Sequence, residues 1–176
     1  MITRTLGFRL LLLASFFSPS SLLAADATIY TGIQNPGNLT VGNVLQDTNL
    51  GAVVGARISV GKLIGFEQNF GYSPNFLEAG DHAFNTQSNL VLGFPFGHIT
   101  PYGTVGAGLI VTGGKTLYDV DNLGVKFTVN YGGGIKFYNL AGPLGFRVDV
   151  RGYSVPNVFH QTLNFIEATV GIMLSW

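Results

Sequence analysis

From Phe146 to Arg151 the chain reads Phe-Arg-Val-Asp-Val-Arg, apolar at every even position and charged at every odd one. Two residues is the side-chain period of a β-strand, whose successive side chains point to opposite faces. The same code recurs along the chain. Val54, Ala56, Ile58 and Val60 oppose Arg57 and Ser59. Phe66, Phe70 and Tyr72 oppose Glu67 and Asn69, with Gln68 a polar exception on the apolar face. Val125, Phe127, Val129, Tyr131, Ile135 and Phe137 oppose Lys126, Thr128, Asn130 and Lys136, while Ile166, Ala168, Val170, Ile172, Leu174 and Trp176 oppose Glu167 and Thr169. A sheet built this way has one greasy face and one polar face, and each needs its own surroundings. Glycines recurring from Gly32 to Gly171 argue against long helices in between.

The alternation predicts eight strands: Ala27–Ile33, Ala52–Val60, Ile64–Ser73, Thr86–Phe94, Tyr102–Thr112, Val125–Phe137, Phe146–Val155 and Asn164–Trp176. Their connections alternate in length. Gly61–Leu63, Pro95–Pro101 and Tyr138–Gly145 are short, whereas Gln34–Gly51, Pro74–Asn85, Gly113–Gly124 and Pro156–Leu163 are longer and more polar. That rhythm, with an even strand count, is the pattern of an outer-membrane barrel with cell-surface loops and periplasmic turns. Lipid offers no water to unpaired strand edges, so a membrane sheet must close on itself. The expected fold is all-β: a closed eight-stranded antiparallel up-and-down transmembrane β-barrel.

Alternation alone does not say which face points outward. A soluble lipocalin-like barrel would hold the apolar face inside around a greasy ligand. Composition opposes that alternative: charged residues are 10% of the chain and hydrophobic ones 47%, against about 25% charged in an ordinary soluble domain. All eight charges within the predicted strands sit on the less apolar face, and a Lys or Arg facing lipid near the midplane costs roughly 2–4 kcal/mol. Aromatics on the apolar faces fall near strand ends. Phe66, Phe94, Phe137, Phe146 and Trp176 lie toward the short turns, and Phe70, Tyr72 and Phe127 toward the long loops, as two interfacial girdles require. The apolar content excludes intrinsic disorder. The balanced charge gives no basic surface for nucleic acid, and the absence of cysteine removes disulfides and thiolate chemistry.

The beginning of the chain reads as an address. Arg4 and Arg9 precede the apolar run Leu10–Phe17, then Ser18-Pro19-Ser20-Ser21 and finally Ala24-Ala25. A positive start, a short apolar stretch and a small-residue exit describe a secretory signal peptide, too short to span a bilayer. The expected organisation is a cleaved signal peptide over residues 1–25 and a barrel domain over 26–176, with cleavage after Ala25 or after Ala27. Loss of Arg4 and Arg9 leaves seven positive residues against nine negative, a net of −2.

With its leader, its eight alternating segments and a last strand ending on Trp176, the chain resembles the small outer-membrane β-barrel superfamily. That superfamily includes the transmembrane domain of outer-membrane protein A, OmpX-type proteins and opacity proteins. The stretch Ala168–Trp176 is similar to the β-signal read by the barrel assembly machinery, with Val170, Ile172, Leu174 and Trp176 as its outward positions. The resemblance implies an outer-membrane location reached through the inner membrane. It also implies contact with outer-membrane lipids and lipopolysaccharide, and engagement of the assembly machinery during insertion. A monomer is the expected state. No cofactor is implied.

A barrel of eight strands is just filled by its own side chains. The inward set Arg57, Glu67, Lys126, Lys136, Arg147, Asp149, Arg151 and Glu167 therefore needs partners in the lumen, because unpaired buried charges cost several kcal/mol each. A turn centred on Lys62 would set Arg57 opposite Glu67. A connection centred near Phe159 would set Arg151 opposite Glu167, and Asp149 would lie diagonally from Lys136. The expected role of this set is a structural salt-bridge network.

Some small barrels of the resembling kind deacylate lipid A with a His-x-Ser pair on a late strand. The matching stretch here is Gly152-Tyr153-Ser154, with glycine where the histidine would stand, Ser154 of outward parity and His160 out of register. Asp119-Val120-Asp121-Asn122 lacks the remaining ligands of a calcium loop. His82, His98 and His160 fall in three different connections. Gly132-Gly133-Gly134 has no Lys-Ser/Thr after it, so it reads as relief of crowding in the wall and not as a phosphate loop. No catalytic, cofactor or metal site is expected. The reading is a structural or surface-interaction barrel with a plugged lumen, and the alternatives are a narrow small-solute or ion channel and, third, a lipid A-modifying enzyme.

Overall fold

The computed structural model describes residues 24–36, 39–41, 44–46, 50–76, 80–113, 124–158 and 161–176. Most of the proposed leader, together with Asp47, Glu78, Lys115, Asp119, Asp121, Asn122 and His160, lies outside them. In chain order the strands are β1 (Ala25–Pro36), β2 (Leu39–Val41), β3 (Val44–Gln46), β4 (Gly51–Val60), β5 (Ile64–Pro74), β6 (His82–Gly93), β7 (Ile99–Gly113), β8 (Val125–Ala141), β9 (Leu144–Val158) and β10 (Gln161–Ser175). Eight of them close into one antiparallel barrel, in which β1 pairs with β10 on one side and β4 on the other. Both ends of the barrel chain meet at the short-turn rim, where Ala25 and Trp176 exchange backbone hydrogen bonds of 3.1 and 3.0 Å.

The sheet is inverted relative to a soluble protein. Ile29 is 76% exposed and Trp176 67%, whereas Arg57 is 1% exposed and Arg147 and Arg151 are wholly buried. With no edge left unpaired and the apolar face outward, the barrel suits hydrocarbon outside and polar groups within. The lipocalin-like arrangement is thereby excluded. Phe94, Phe96 and Trp176 stand exposed at the short-turn end, and Tyr72, Phe84 and Phe127 toward the long connections.

Two features differ from the sequence expectation. The first long connection, expected as a loop, contains the separate hairpin β2–β3. Its strands are three residues each, too short to show alternation; the available signal was Gly42-Asn43 between two short apolar segments. The barrel strands also run further toward the long connections than the alternation reaches. β6 starts at His82, not Thr86; β9 continues through Pro156 to Val158, and β10 starts at Gln161. There the code inverts: the inner face turns apolar at Ala83, Val155 and Leu163, while His82, Thr162 and Asn164 lie on the outer face. Pro156 is accommodated because the β9–β10 register shifts beside it, between Gln161 and Leu163.

Candidate functional site

The interior is built from the middle of the strands. On β9 the inward residues Arg147, Asp149 and Arg151 stack positive, negative, positive along one strand. Arg147 Nε lies 2.9 Å from Asp149 Oδ2, and Arg151 Nη2 lies 3.0 Å from Asp149 Oδ1. From the opposite wall, β5 projects Glu67, whose carboxylate is gripped by Arg147 Nη2 at 2.6 Å and Arg151 Nη2 at 2.8 Å. Arg57 on β4 donates to Asp149 at 2.9 Å and to Glu167 on β10 at 3.1 Å. Nearer the short turns, Lys136 meets Asp26 at 2.6 Å. These eight groups are four cations and four carboxylates, all buried. Each is charge-paired, which burial of ions demands.

Hairpin arithmetic places these residues better than it pairs them. Arg151 does stand opposite Glu167, and Asp149 is diagonal to Lys136. The β4–β5 hairpin, however, is centred on Leu63, so Arg57 faces Asn69 and Glu67 faces Ser59. Arg57 Nε accordingly donates to Asn69 Oδ1 at 3.0 Å. Arg151 takes its carboxylates from Glu67 and Asp149, Glu167 takes its cation from Arg57, and Lys136 takes Asp26. In a narrow barrel a long side chain reaches the far wall as readily as the next strand, and hairpin reasoning sees only the next strand. Lys126, also of inward parity, sits near the loop-side end of β8, half-buried. Asp26, which the alternation does not mark, joins the central set as the partner of Lys136.

Two tyrosines hold the arginines in place. The Arg57 guanidinium lies 3.9 Å from the Tyr30 ring centroid, and that of Arg147 lies 4.7 Å from Tyr102. Tyr102 Oη also hydrogen-bonds Asp149 and accepts from Arg147 Nη2 at 2.7 Å. Each ring lies across an inward glycine of a neighbouring strand. A Cβ on Gly134 would come within 2.6 Å of the Tyr102 hydroxyl, and one on Gly55 within 2.4 Å of the Tyr30 hydroxyl. A Cβ on Gly134 would also come within 2.1 Å of the Val148 backbone oxygen, so the last glycine of the Gly132–Gly134 run makes room both for the β9 backbone and for the ring crossing from β7. A ladder of amides completes the polar zone. Asn69 donates to Asn85 at 3.3 Å, Asn130 to Gln87 at 3.0 Å and to Asn89 at 2.8 Å, and Asn89 to Glu67 at 3.1 Å.

Toward the long connections the filling changes. Phe76, Ala83, Ile110, Tyr153, Val155, Leu163 and Phe165 form one buried apolar cluster inside the barrel. Tyr153 and Phe165 stack at 4.6 Å, and Phe76 meets Phe165 edge-on at 5.4 Å. Phe76 comes from the β5–β6 connection, pinned at its base where Asn75 N–H donates to Asp81 O at 2.6 Å and Gly80 N–H to Asn75 Oδ1 at 2.9 Å. Partial desolvation raises the Asp81 carboxyl above its ordinary value, opposed by the neighbouring His82. The sequence reading missed this cluster, Asp26 and both tyrosines. Their signal was parity, since each falls on the inner face once strand phase is known, except Phe76, which the β5–β6 connection supplies.

The remaining candidates lie elsewhere. Ser154 sits on the outer side, its hydroxyl 2.7 Å from Asn164 Oδ1. The described histidines, His82 and His98, stand at opposite ends of the barrel. Among the described residues no group of three or more His, Asp or Glu is placed to hold a metal ion. Val170, Ile172, Leu174 and Trp176 all point outward from β10, the strand that closes the ring against β1.

No protein-family model matches the chain, and no curated protein matches it in sequence. Solved structures do match its fold. Neisserial surface protein A (NspA) is 8% identical with a TM-score of 0.63, over 88% of this chain and 97% of its own. The N-terminal β-barrel domain of Pseudomonas aeruginosa OprF is 14% identical with a TM-score of 0.56, over 86% and 97%. The outer membrane enzyme PagL is 18% identical with a TM-score of 0.51, over 85% and 98%. The chain has the fold of small eight-stranded outer-membrane barrels. One of these neighbours is an enzyme, so the fold leaves the activity open.

Proposed function

We propose that this chain is an integral outer-membrane protein whose barrel is a sealed scaffold, displaying its long connections for contacts at the cell surface. The observation that carries this reading is the interior: four cations and four carboxylates bonded from wall to wall. Water and ions passing along the axis would have to break these bonds, and the apolar cluster around Phe76 stands above them in the loop-side half. The salt-bridge set then serves structure, holding opposite walls together where a larger barrel would hold water.

The placement follows from the same physics. The apolar exterior meets lipid, the short turns face the periplasm and the long connections meet lipopolysaccharide. Residues 1–25 direct export, and Val170, Ile172, Leu174 and Trp176 present the terminal strand to the assembly machinery. The surface role is supported by a fold neighbour named as a surface protein. The sequence of the long connections is acidic, with Asp47, Glu78, Asp81, Asp119 and Asp121 against Lys115. That balance favours basic or divalent partners over anionic ones.

Planar-bilayer recording on the folded chain tests this reading. The sealed barrel gives no steady conductance level, whereas a reproducible open level in the unaltered protein makes it a channel.

A further inference from the structure

Gln68 breaks the code of the outer surface. It lies midway along β5 on the lipid-facing side, between Phe66 and Phe70. Its amide donates to Thr86 Oγ1 at 2.9 Å and accepts from Ser88 Oγ at 2.7 Å, both on the outer face of β6. Opposite Ser88, on β7, stands Ala107. Gln68, Thr86 and Ser88 form a shallow polar floor at mid-strand height, with the small Ala107 at its edge. Phe66, Leu90 and Val105 rise on its short-turn side; Phe70 and Leu109 flank Thr86 itself, with Tyr72, Phe84 and Val111 beyond them on the loop side.

The bonds within this floor do not exhaust it. A side-chain amide carries two N–H hydrogens and its oxygen two lone pairs, so Gln68 can still donate once and accept once. The Thr86 hydroxyl, an acceptor from Gln68, keeps its own hydrogen, and the Ser88 oxygen keeps lone pairs. In hydrocarbon neither water nor an acyl chain takes these up. Whatever covers the floor must bring donors and acceptors together, at this depth in the bilayer. A second copy, turned about a two-fold axis along the bilayer normal, does both, because it presents the same groups at the same depth. Small residues at the contact, here Ser88 and Ala107, let two walls approach closely. The geometry points to a self-association face centred on Gln68, Thr86 and Ser88, through which two barrels pair in the membrane. This departs from the monomer expected from the sequence, and it rests on the membrane placement proposed above.

The chain has no cysteine, so Ala107→Cys introduces a single crosslinking point beside the polar trio. Ile29→Cys, on the outer face of β1 across the ring from β7, is its counterpart. Both full-length variants are reconstituted in phosphatidylcholine vesicles, oxidised and run on denaturing gels. Ala107→Cys gives a disulfide dimer and Ile29→Cys does not; adding Gln68→Leu to the former lowers its yield about tenfold. Equal yields at the two positions, or a yield indifferent to Gln68→Leu, overturn the contact. Heat-modifiable mobility in the same vesicles separates the failures: closed, inserted barrels without the crosslink sink this contact alone, whereas a chain that never inserts removes the membrane placement with it.

Discussion

The barrel is filled in two ways along its axis. In the middle and toward the short turns, charged groups are bonded across the lumen: Arg57, Arg147, Arg151 and Lys136 against Glu67, Asp149, Glu167 and Asp26. Nearer the long connections, Phe76, Tyr153, Leu163 and Phe165 pack as an ordinary apolar core. The comparison separates filling space from sealing it. The apolar zone gains by removing greasy surface from water, whoever its neighbours are. The ionic zone holds only while every partner is present, because one missing charge strands another in a dry interior. The same barrel is therefore forgiving at one height and unforgiving at the other.

Removing one ionic partner tests this most severely. Arg57→Met leaves Glu167 without its cation and should cost about 3–5 kcal/mol in urea unfolding. Adding Glu167→Gln should restore much of that loss, a rescue that a purely apolar role for Arg57 does not allow. In the apolar zone Phe165→Ala should cost about 3 kcal/mol through the cavity it leaves, with no second-site charge change able to compensate. Tyr153 touches both zones, stacking on Phe165 and donating to Glu167 at 3.5 Å, so Asp26→Asn, at the far end of the ionic zone, is the background that should leave the Phe165→Ala cost unchanged. Across the wall, Val150→Arg places on the outside the group that Arg151 carries inside, and should cost about 2–3 kcal/mol in lipid vesicles. Gly134→Ala presses a methyl to within 2.1 Å of the Val148 backbone oxygen and 2.6 Å of the Tyr102 hydroxyl, and should cost about 1–3 kcal/mol. Combining it with Tyr102→Phe should leave most of that cost in place, because the contact with the Val148 backbone remains.

What was legible in the sequence follows the same division. Where the inner face is ionic and the outer apolar, as at Phe146–Arg151, parity alone gives strand, face and burial. Where the inner face is apolar and the outer one polar, as at Ala83 and Leu163 against His82, Thr162 and Asn164, the code inverts, and alternation with the apolar face outward draws the strands too short. Partner choice was illegible for another reason: Glu67 reaches Arg147 and Arg151 across the lumen, a contact between strands far apart in sequence that no hairpin register encodes. Asp26 was hidden by lying before the expected start of the first strand, at the boundary with the leader. Tyr102 and Gly134 form a pair whose meaning appears only once the β7–β8 register sets them opposite each other.

The central claim is that the buried charges hold the walls together and do not conduct. Paired urea unfolding and planar-bilayer recording on Arg57→Met address it directly. The account predicts a barrel less stable by about 3–5 kcal/mol with conductance unchanged from the unaltered protein. A variant that keeps its stability while opening a steady current would contradict it, and would make Arg57 a gate.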